Sequence, residues 1–180
     1  MDPPRLTPSP IKQRGLKYVS GRPYMPGYSI AGPEDEGSLL PWHKAEMRLT
    51  QSRHYWVATI WPDGRPHLSV VWGAWNQDAF WFSTGRASRK HRNLQADLRC
   101  TVSTEDGERP IVFDGEAELV TNPALIAIFL SRLNMKYRES YSLESMDPEN
   151  KACYRVKPKV AIGLEEQDIA GSATRWQFET

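Results

Sequence analysis

The sequence predicts a mainly β fold with flanking helices (α+β), in which six short antiparallel strands form a closed barrel. Segments rich in aromatic and β-branched residues recur along the chain, and tight turns such as 62–65 separate them. This spacing fits a barrel better than a parallel sheet with crossover helices. With 180 residues, 39% of them hydrophobic, the chain can form one domain with a sizeable core.

Each element has its own signal in the sequence. Strand patterns fall at 54–61, 66–75, 79–84, 98–104, 109–120 and 153–164. Helices are expected at 41–51, which Pro41 opens, at 88–96, which a Ser residue caps, and at 122–138, where apolar residues recur at helical spacing. Residues 137–150 are expected to form a loop.

Residues 1–37 are expected to form a Pro/Gly-rich N-terminal arm, with residues 38–180 as the folded domain. Eight of the fourteen prolines lie within the first 41 residues, so this segment cannot form a core by itself. Tyr18, Tyr24 and Tyr28 stand in its otherwise polar part, which favours docking of 16–32 on the folded body.

Composition excludes several function classes. A formal net charge of +1 argues against a general nucleic-acid binder, and no apolar run is long enough to span a membrane. The first residues lack the apolar stretch of a secretory signal, so we expect a cytoplasmic protein. Cys100 and Cys153 have no metal-ligand spacing, and two buried free thiols are expected rather than a disulfide.

Positive charge is concentrated where the strand at 79–84 leads into the next helix. Arg86, Arg89, Lys90 and Arg92 surround a helix start that Ser88 caps. Cations are unfavourable in a first helical turn, whereas the free N–H groups there attract anions. The sequence therefore predicts a phosphate site at this turn, although a solvated basic surface is the simpler alternative.

The strand at 66–75 presents a polar face. Alternation places His67, Ser69, Val71 and Gly73 on one side and four mostly apolar residues on the other. Five of the seven tryptophans lie between residues 56 and 81. Most of them are expected in the core or at a subunit interface, but some could enclose a flat, phosphorylated heteroaromatic cofactor.

The block 55–119 resembles the flavin-binding split barrel of the pyridoxamine 5′-phosphate oxidase-like superfamily. The matching motifs are 58–60, 62–66, 67–72, 82–84, 88–90 and 113–118, in this order and spacing. The resemblance implies a six-stranded antiparallel split barrel, a homodimer, and a cofactor at the dimer interface. The implied cofactor-binding residues are His67, Leu68, Ser69, Val70, Ser83, Thr84, Arg86, Ser88, Arg89, Lys90, Arg92, Asn93, Arg175 and Trp176.

Within this superfamily, 90–94 is similar to a segment of the flavin/deazaflavin oxidoreductase branch, many members of which use coenzyme F420. The resemblance implies an oxidoreductase that uses F420, or alternatively FMN, for hydride transfer with a small organic substrate. Trp72 occupies the position at which true pyridoxamine phosphate oxidases carry a lysine, so we do not expect pyridoxamine phosphate to be the substrate.

No nucleophilic catalytic arrangement stands out in the sequence. His67, Tyr24 and Tyr28 are weak candidates for proton transfer, and bulk water is the simpler donor. Two alternatives remain open: a non-catalytic flavin-binding carrier or sensor, and a haem-binding or haem-degrading protein. The candidate haem ligands are His43, His54, His67 and His91.

Overall fold

The computed structural model describes residues 16–30 and 39–179, and the arm expected over 1–37 is therefore described only in part. The strands of the described residues are β1 (Tyr18–Gly21), β2 (Tyr55–Ile60), β3 (Pro66–Val71), β4 (Gly73–Asn76), β5 (Ala79–Gly85), β6 (Arg99–Thr104), β7 (Ile111–Val120), β8 (Lys151–Gly163) and β9 (Thr174–Phe178). The α-helices are α1 (Trp42–Gln51), α2 (Arg89–Ala96), α3 (Pro123–Tyr137) and α4 (Ile169–Ser172), and short 3-10 turns cover Leu143–Met146 and Glu166–Asp168.

The mainly β antiparallel fold with flanking helices is as the sequence predicts, but the described residues form nine strands instead of six. The strand expected over 66–75 divides at Trp72 into β3 and β4. Strands β1 and β9 were not expected, since each is only four or five residues long. The two pair with each other, so 18–21 docks on the domain.

The strands follow one another around a curved sheet. The ladders run from β3 through β2, β6, β7 and β8, and β8 also pairs with β5, which pairs with β4. Strands β3 and β4 are the two ends of this pairing order. They are connected through Trp72 of the chain, and no hydrogen-bonded ladder joins them. The sheet is thus open in its hydrogen bonding, which corrects the closed barrel expected from the short strands.

Two hydrophobic cores lie on opposite sides of the sheet. The larger lies inside the curved sheet, where Trp42 of α1 packs edge to face on Trp176 at 5.3 Å and on Phe178 at 4.8 Å. The smaller lies between α3 and the outer side of β4, β5 and β8, with Trp81 stacked on Phe129. These ring–ring contacts account for the burial of many aromatic side chains in a domain of this size.

Cys100 and Cys153 are both buried and free, as expected, and burial raises the pKa of each thiol to about 12. In the described part of the chain, none of the helices is long and apolar enough to cross a membrane.

Gly115 marks the point at which β7 and β8 change register. The pairing shifts between Asp114 and Gly115, where the opposing residues change from Val160 to Pro158. A Cβ atom at Gly115 would collide with the backbone carbonyl of Lys157. The glycine is therefore required by the close approach of the two strands.

Replacing Gly115 by alanine is expected to lower the free energy of unfolding by about 1–3 kcal/mol, because the neighbouring backbone must move. Gly107→Ala is the matched control, since nothing lies within 4 Å of a Cβ at that exposed turn. Urea unfolding followed by circular dichroism compares the two variants. Equal stability of both would contradict the steric role of Gly115.

Candidate functional site

The cationic loop forms a capped helix start. Ser88 is the N-cap of α2, and its hydroxyl oxygen accepts the backbone N–H of His91 at 3.2 Å. The hydroxyl groups of Ser88 and Thr84 are hydrogen-bonded at 3.0 Å, so the end of β5 and the start of α2 are held together. Other N–H groups of the first turn are available to an anion, and the helix dipole favours negative charge there.

Lys90 points to the same place. Its ammonium group donates to the Thr84 hydroxyl at 3.5 Å, and burial lowers the pKa of Lys90 from its ordinary value. Among the described residues, no carboxylate lies within 4 Å of Lys90 or of the arginines at 86, 89 and 92. The start of α2 therefore combines two hydroxyl groups and a half-buried cation without an acidic partner.

The side chains of the three arginines of the loop have different surroundings. The Arg89 guanidinium lies 3.8 Å from the centre of the Trp61 ring, and Trp61 is 6.2 Å from the His67 ring. Arg86 instead donates from Nε to the carbonyl of Pro148 at 2.5 Å. Arg92 is exposed on α2. Arg89 thus extends the positive charge toward β3, whereas Arg86 faces the loop before β8.

Strand β3 alternates as the sequence predicts up to Val71. Leu68 and Val70 are exposed, whereas His67 and Ser69 are half-buried, and His67 Nδ1 and Ser69 Oγ are buried atoms without a hydrogen-bond partner. Among the described strands, β3 pairs only with β2. Its other edge therefore offers backbone N–H and C=O groups to a ligand.

A polar bridge connects α2 with β3. Asn93 donates from Nδ2 to the Thr59 hydroxyl at 3.0 Å, and that hydroxyl donates to the carbonyl of His67 at 3.5 Å. Thr59 and Asn93 are each 1% exposed, and the Oδ1 atom of Asn93 has no hydrogen-bond partner. The predicted phosphate turn and the predicted cofactor strand therefore form one continuous site.

A buried hydrogen bond between two side chains holds the start of α2 against β8. Tyr154 of β8 and His91 Nδ1 are hydrogen-bonded at 2.8 Å, and each residue is 2% exposed. Burial, together with the positive charge of Arg86, lowers the pKa of His91, and burial raises the pKa of Tyr154. This pair fixes the first turn of α2 from which Ser88 and Lys90 project.

Several predicted residues lie away from this cluster. Ser83 is on the opposite side of β5 from Thr84, next to Cys153. Tyr24 and Tyr28 are exposed on a turn after β1. Trp176 is fully buried in the larger core, and Arg175 lies on the outer side of β9, where it donates to Gln177.

The histidines proposed as haem ligands are dispersed. His43 is exposed on α1, His54 contacts Glu105 at 2.6 Å, and His91 is bonded to Tyr154. In the described ranges, no three His, Cys, Asp or Glu side chains are placed to share a metal ion.

Sequence reasoning missed three members of the site: Thr59, Trp61 and Tyr154. Thr59 could have been found, since strict alternation from Tyr55 places it on the inner side of β2. The same alternation includes Trp61 in the strand predicted over 54–61, but nothing in the sequence places this hairpin tip against Arg89. Tyr154 gave no signal, because tertiary packing alone brings that distant strand to α2.

The outer side of the sheet carries an exposed row across six strands. Successive register partners are Val70, Trp56, Ser103, Val112, Ile162 and Arg175. Val70 is 51% exposed and Trp56 42%, and the other two apolar members exceed a third. Four exposed apolar side chains in one row, interrupted by the half-buried Ser103, are typical of a protein interface.

A family model described as pyridoxamine 5′-phosphate oxidase matches residues 42–164, which include the whole cluster around α2. The chain belongs to this family. The split-barrel resemblance read from the sequence is therefore confirmed, and the family has oxidoreductase members. No curated protein sequence matches the chain.

Solved structures with the same fold have different names. A conserved hypothetical protein of Mycobacterium tuberculosis is 25% identical with a TM-score of 0.64, over 71% of this chain and 86% of that one. A protein named as an F420 reductase is 25% identical with a TM-score of 0.54, over 64% and 94%. The heme storage protein HutZ of Vibrio cholerae, 19% identical with a TM-score of 0.55 over 66% and 89%, shows the fold alone.

The buried His91 predicts a loss of stability in weak acid. Its pKa lies below the unfolded value of about 6.5, so the unfolded chain binds a proton that the folded chain does not. The free energy of unfolding should therefore fall as the pH decreases from about 6.5 toward the folded pKa. Urea unfolding across this range should show a smaller pH dependence in His91→Gln, but an unchanged one in the exposed-site control His43→Gln. If the free energy of unfolding of His91→Gln depended on pH as steeply as that of the wild type, the attribution of this pH dependence to His91 would be contradicted.

Proposed function

We propose that this protein is an oxidoreductase that holds coenzyme F420, or alternatively FMN, with the cofactor phosphate at the start of α2. One observation carries the proposal. Ser88, Thr84 and the half-buried Lys90 converge on free helix N–H groups, and no described carboxylate balances the charge. A bound phosphate would satisfy these donors.

The polar atoms left without partners also fit such a cofactor. Ser69 Oγ and His67 Nδ1 lie on β3, and Asn93 Oδ1 belongs to α2, whose Asn93 side chain contacts Thr59 of β2. A flavin or deazaflavin carries ring N–H and carbonyl groups and a hydroxylated chain, which can pair with these atoms and with the free edge of β3. Leu68 and Val70 would line the cofactor from the outer side of the strand.

The preference for F420 over FMN rests on charge and on one relative. F420 carries acidic glutamyl units beside its phosphate, and Arg89 and Arg92 extend positive charge beyond Lys90. The relative named as an F420 reductase supports the same choice. Pyridoxamine phosphate is not proposed as substrate, since Trp72 and not a lysine follows the aliphatic pair at the end of β3.

The bound cofactor would supply hydride transfer, and the protein would supply binding and orientation. Lys90, Ser88 and Thr84 would fix the phosphate end, and β3 would hold the ring. His67 is the candidate within the site for donating a proton, and bulk water is the alternative. Tyr24 and Tyr28 lie on an exposed turn outside this cluster.

We also propose that the apolar row, from Val70 through Trp56 to Ile162, forms the homodimer interface. In a two-fold interface the same surface of each copy meets the other. With the axis near the middle of the row, the Arg175 end of one copy would meet β3 of the other, which would bring a cation to the cofactor strand. This arrangement would make each site depend on both subunits.

Lys90→Ala should weaken binding of F420 or FMN by about 10- to 100-fold, because it removes a charge-assisted contact of about 1.5–3 kcal/mol. Lys90→Arg should recover part of the affinity. Lys44→Ala, at an exposed position of α1, is the control. Fluorescence titration under anaerobic conditions measures all three variants, and circular dichroism checks that they fold.

The wild-type titration separates the candidate functions. Preferential F420 binding followed by substrate-dependent oxidation of the reduced cofactor supports the proposal, and the same result with FMN supports its alternative form. Binding without turnover of any substrate indicates a carrier or sensor. Tight haem binding with a Soret band, or an unchanged affinity in Lys90→Ala, would overturn the phosphate assignment.

Trp56→Glu and Val112→Glu should each convert the dimer to monomer, since both residues lie toward the middle of the row and an uncompensated charge would be buried in the interface. Met47→Glu is the control, because Met47 is also an exposed apolar residue but lies on α1. Sedimentation velocity at several concentrations measures the association state. A monomeric wild-type protein, or variants that dimerise normally, would contradict the interface.

A further inference from the structure

A pocket of about 220 Å³ lies behind the cationic loop, between the start of α3 and the turn Leu143–Met146. Its lining includes Cys153 and Met146 of the smaller core, whereas Thr84 and Tyr154 do not line it. The lining residues on which the argument depends are Arg86, Ile126, Met146, Lys151 and Cys153.

The lining of the pocket combines a mostly apolar surface with two cationic side chains. Most of its surface is aliphatic, with Met146 and Cys153 buried at 9% and 2% exposure. The charged members are Arg86 and Lys151, and the lining contains no carboxylate. Neither cation is in an ion pair within the described residues. An apolar cavity with positive charge alone fits a ligand with an apolar chain and an acidic end.

The wall of the pocket is held in place by backbone hydrogen bonds. Lys151 N–H donates to the carbonyl of Asp147 at 2.8 Å, and Arg86 N–H donates to the carbonyl of Asn150 at 2.9 Å. Arg86 Nε in turn donates to the carbonyl of Pro148. The pocket is thus preformed in the single chain, and binding would not require a segment to fold first.

We propose that this pocket binds a small amphiphilic carboxylate, with its apolar chain against Ile126 and Met146 and its carboxylate at Arg86 and Lys151. The volume lies below the range of about 300–1,000 Å³ for drug-sized ligands, so the chain must be short. This assignment gives Arg86 a role that the phosphate site does not use. It does not depend on the cofactor, because Ser88, Thr84 and Lys90 do not line the pocket.

Methyl NMR of the cofactor-free protein, with ¹³C-methyl methionine, tests the proposal with sodium octanoate as the probe. Met146 lines the pocket, whereas Met135 is 74% exposed at the far end of α3 and serves as an internal control. Met146→Leu assigns the resonance. We expect a saturable shift of Met146 alone with octanoate, and a much smaller effect with octylammonium at equal concentration.

Two variants locate the binding. Lys151→Gln should weaken octanoate binding about fivefold, as expected for an exposed charge, and should leave the shift caused by 1-octanol unchanged. Lys157→Gln, also exposed on β8 but outside the pocket, should have no effect. Ile126→Trp should abolish the shift by filling the cavity.

Four results would overturn the proposal. They are an unshifted Met146, equal effects of octanoate and octylammonium, an unchanged affinity in Lys151→Gln, and an equal response of Met135. Because no cofactor is present, these results are independent of the F420 and FMN titrations.

Discussion

Strand β8 is the constraint on which the rest of the structure depends. One of its edges pairs with the whole of β7, while the other edge is shared between β5 at its start and β9 at its end. A strand edge can bond only one partner at each position, so β5 and β9 must diverge. The sheet consequently splits, and the register shift at Gly115 allows β7 to follow β8 along its whole length.

The split positions the candidate site. It directs β5 toward α2, and α2 packs against β2 through Asn93 and Thr59. Leu94 of the same helix enters the larger core at 0% exposure, which holds α2 on the sheet. The predicted phosphate turn thus lies beside β3 because a hydrophobic side chain and one polar bridge fix the helix. The site follows from packing, although its charged residues contribute little to that packing.

Charge is distributed unevenly over the surface. Arg99, Arg155 and Lys159 each lie in an ion pair with a carboxylate. Such surface pairs stabilise a fold by at most about 1 kcal/mol each. The cations around the start of α2 have no such partners in the described residues, and their position opposes the helix dipole. Positive charge that does not serve stability is the best physical argument that this turn binds an anion.

The sequence by itself determined the antiparallel β fold, five of its strands within two residues at each end, and the capped cationic turn at Ser88. These features are local, since alternation, turn residues and helix caps act within a few positions of one another. The alternation of His67, Leu68, Ser69 and Val70 is equally local. Only the tertiary structure decided the division at Trp72 and the pairing of β1 with β9, because both depend on contacts between distant segments. The same reason explains why Arg86 faces the loop before β8, why Trp176 is buried in the core, and why Thr59 and Asn93 join two predicted motifs into one site.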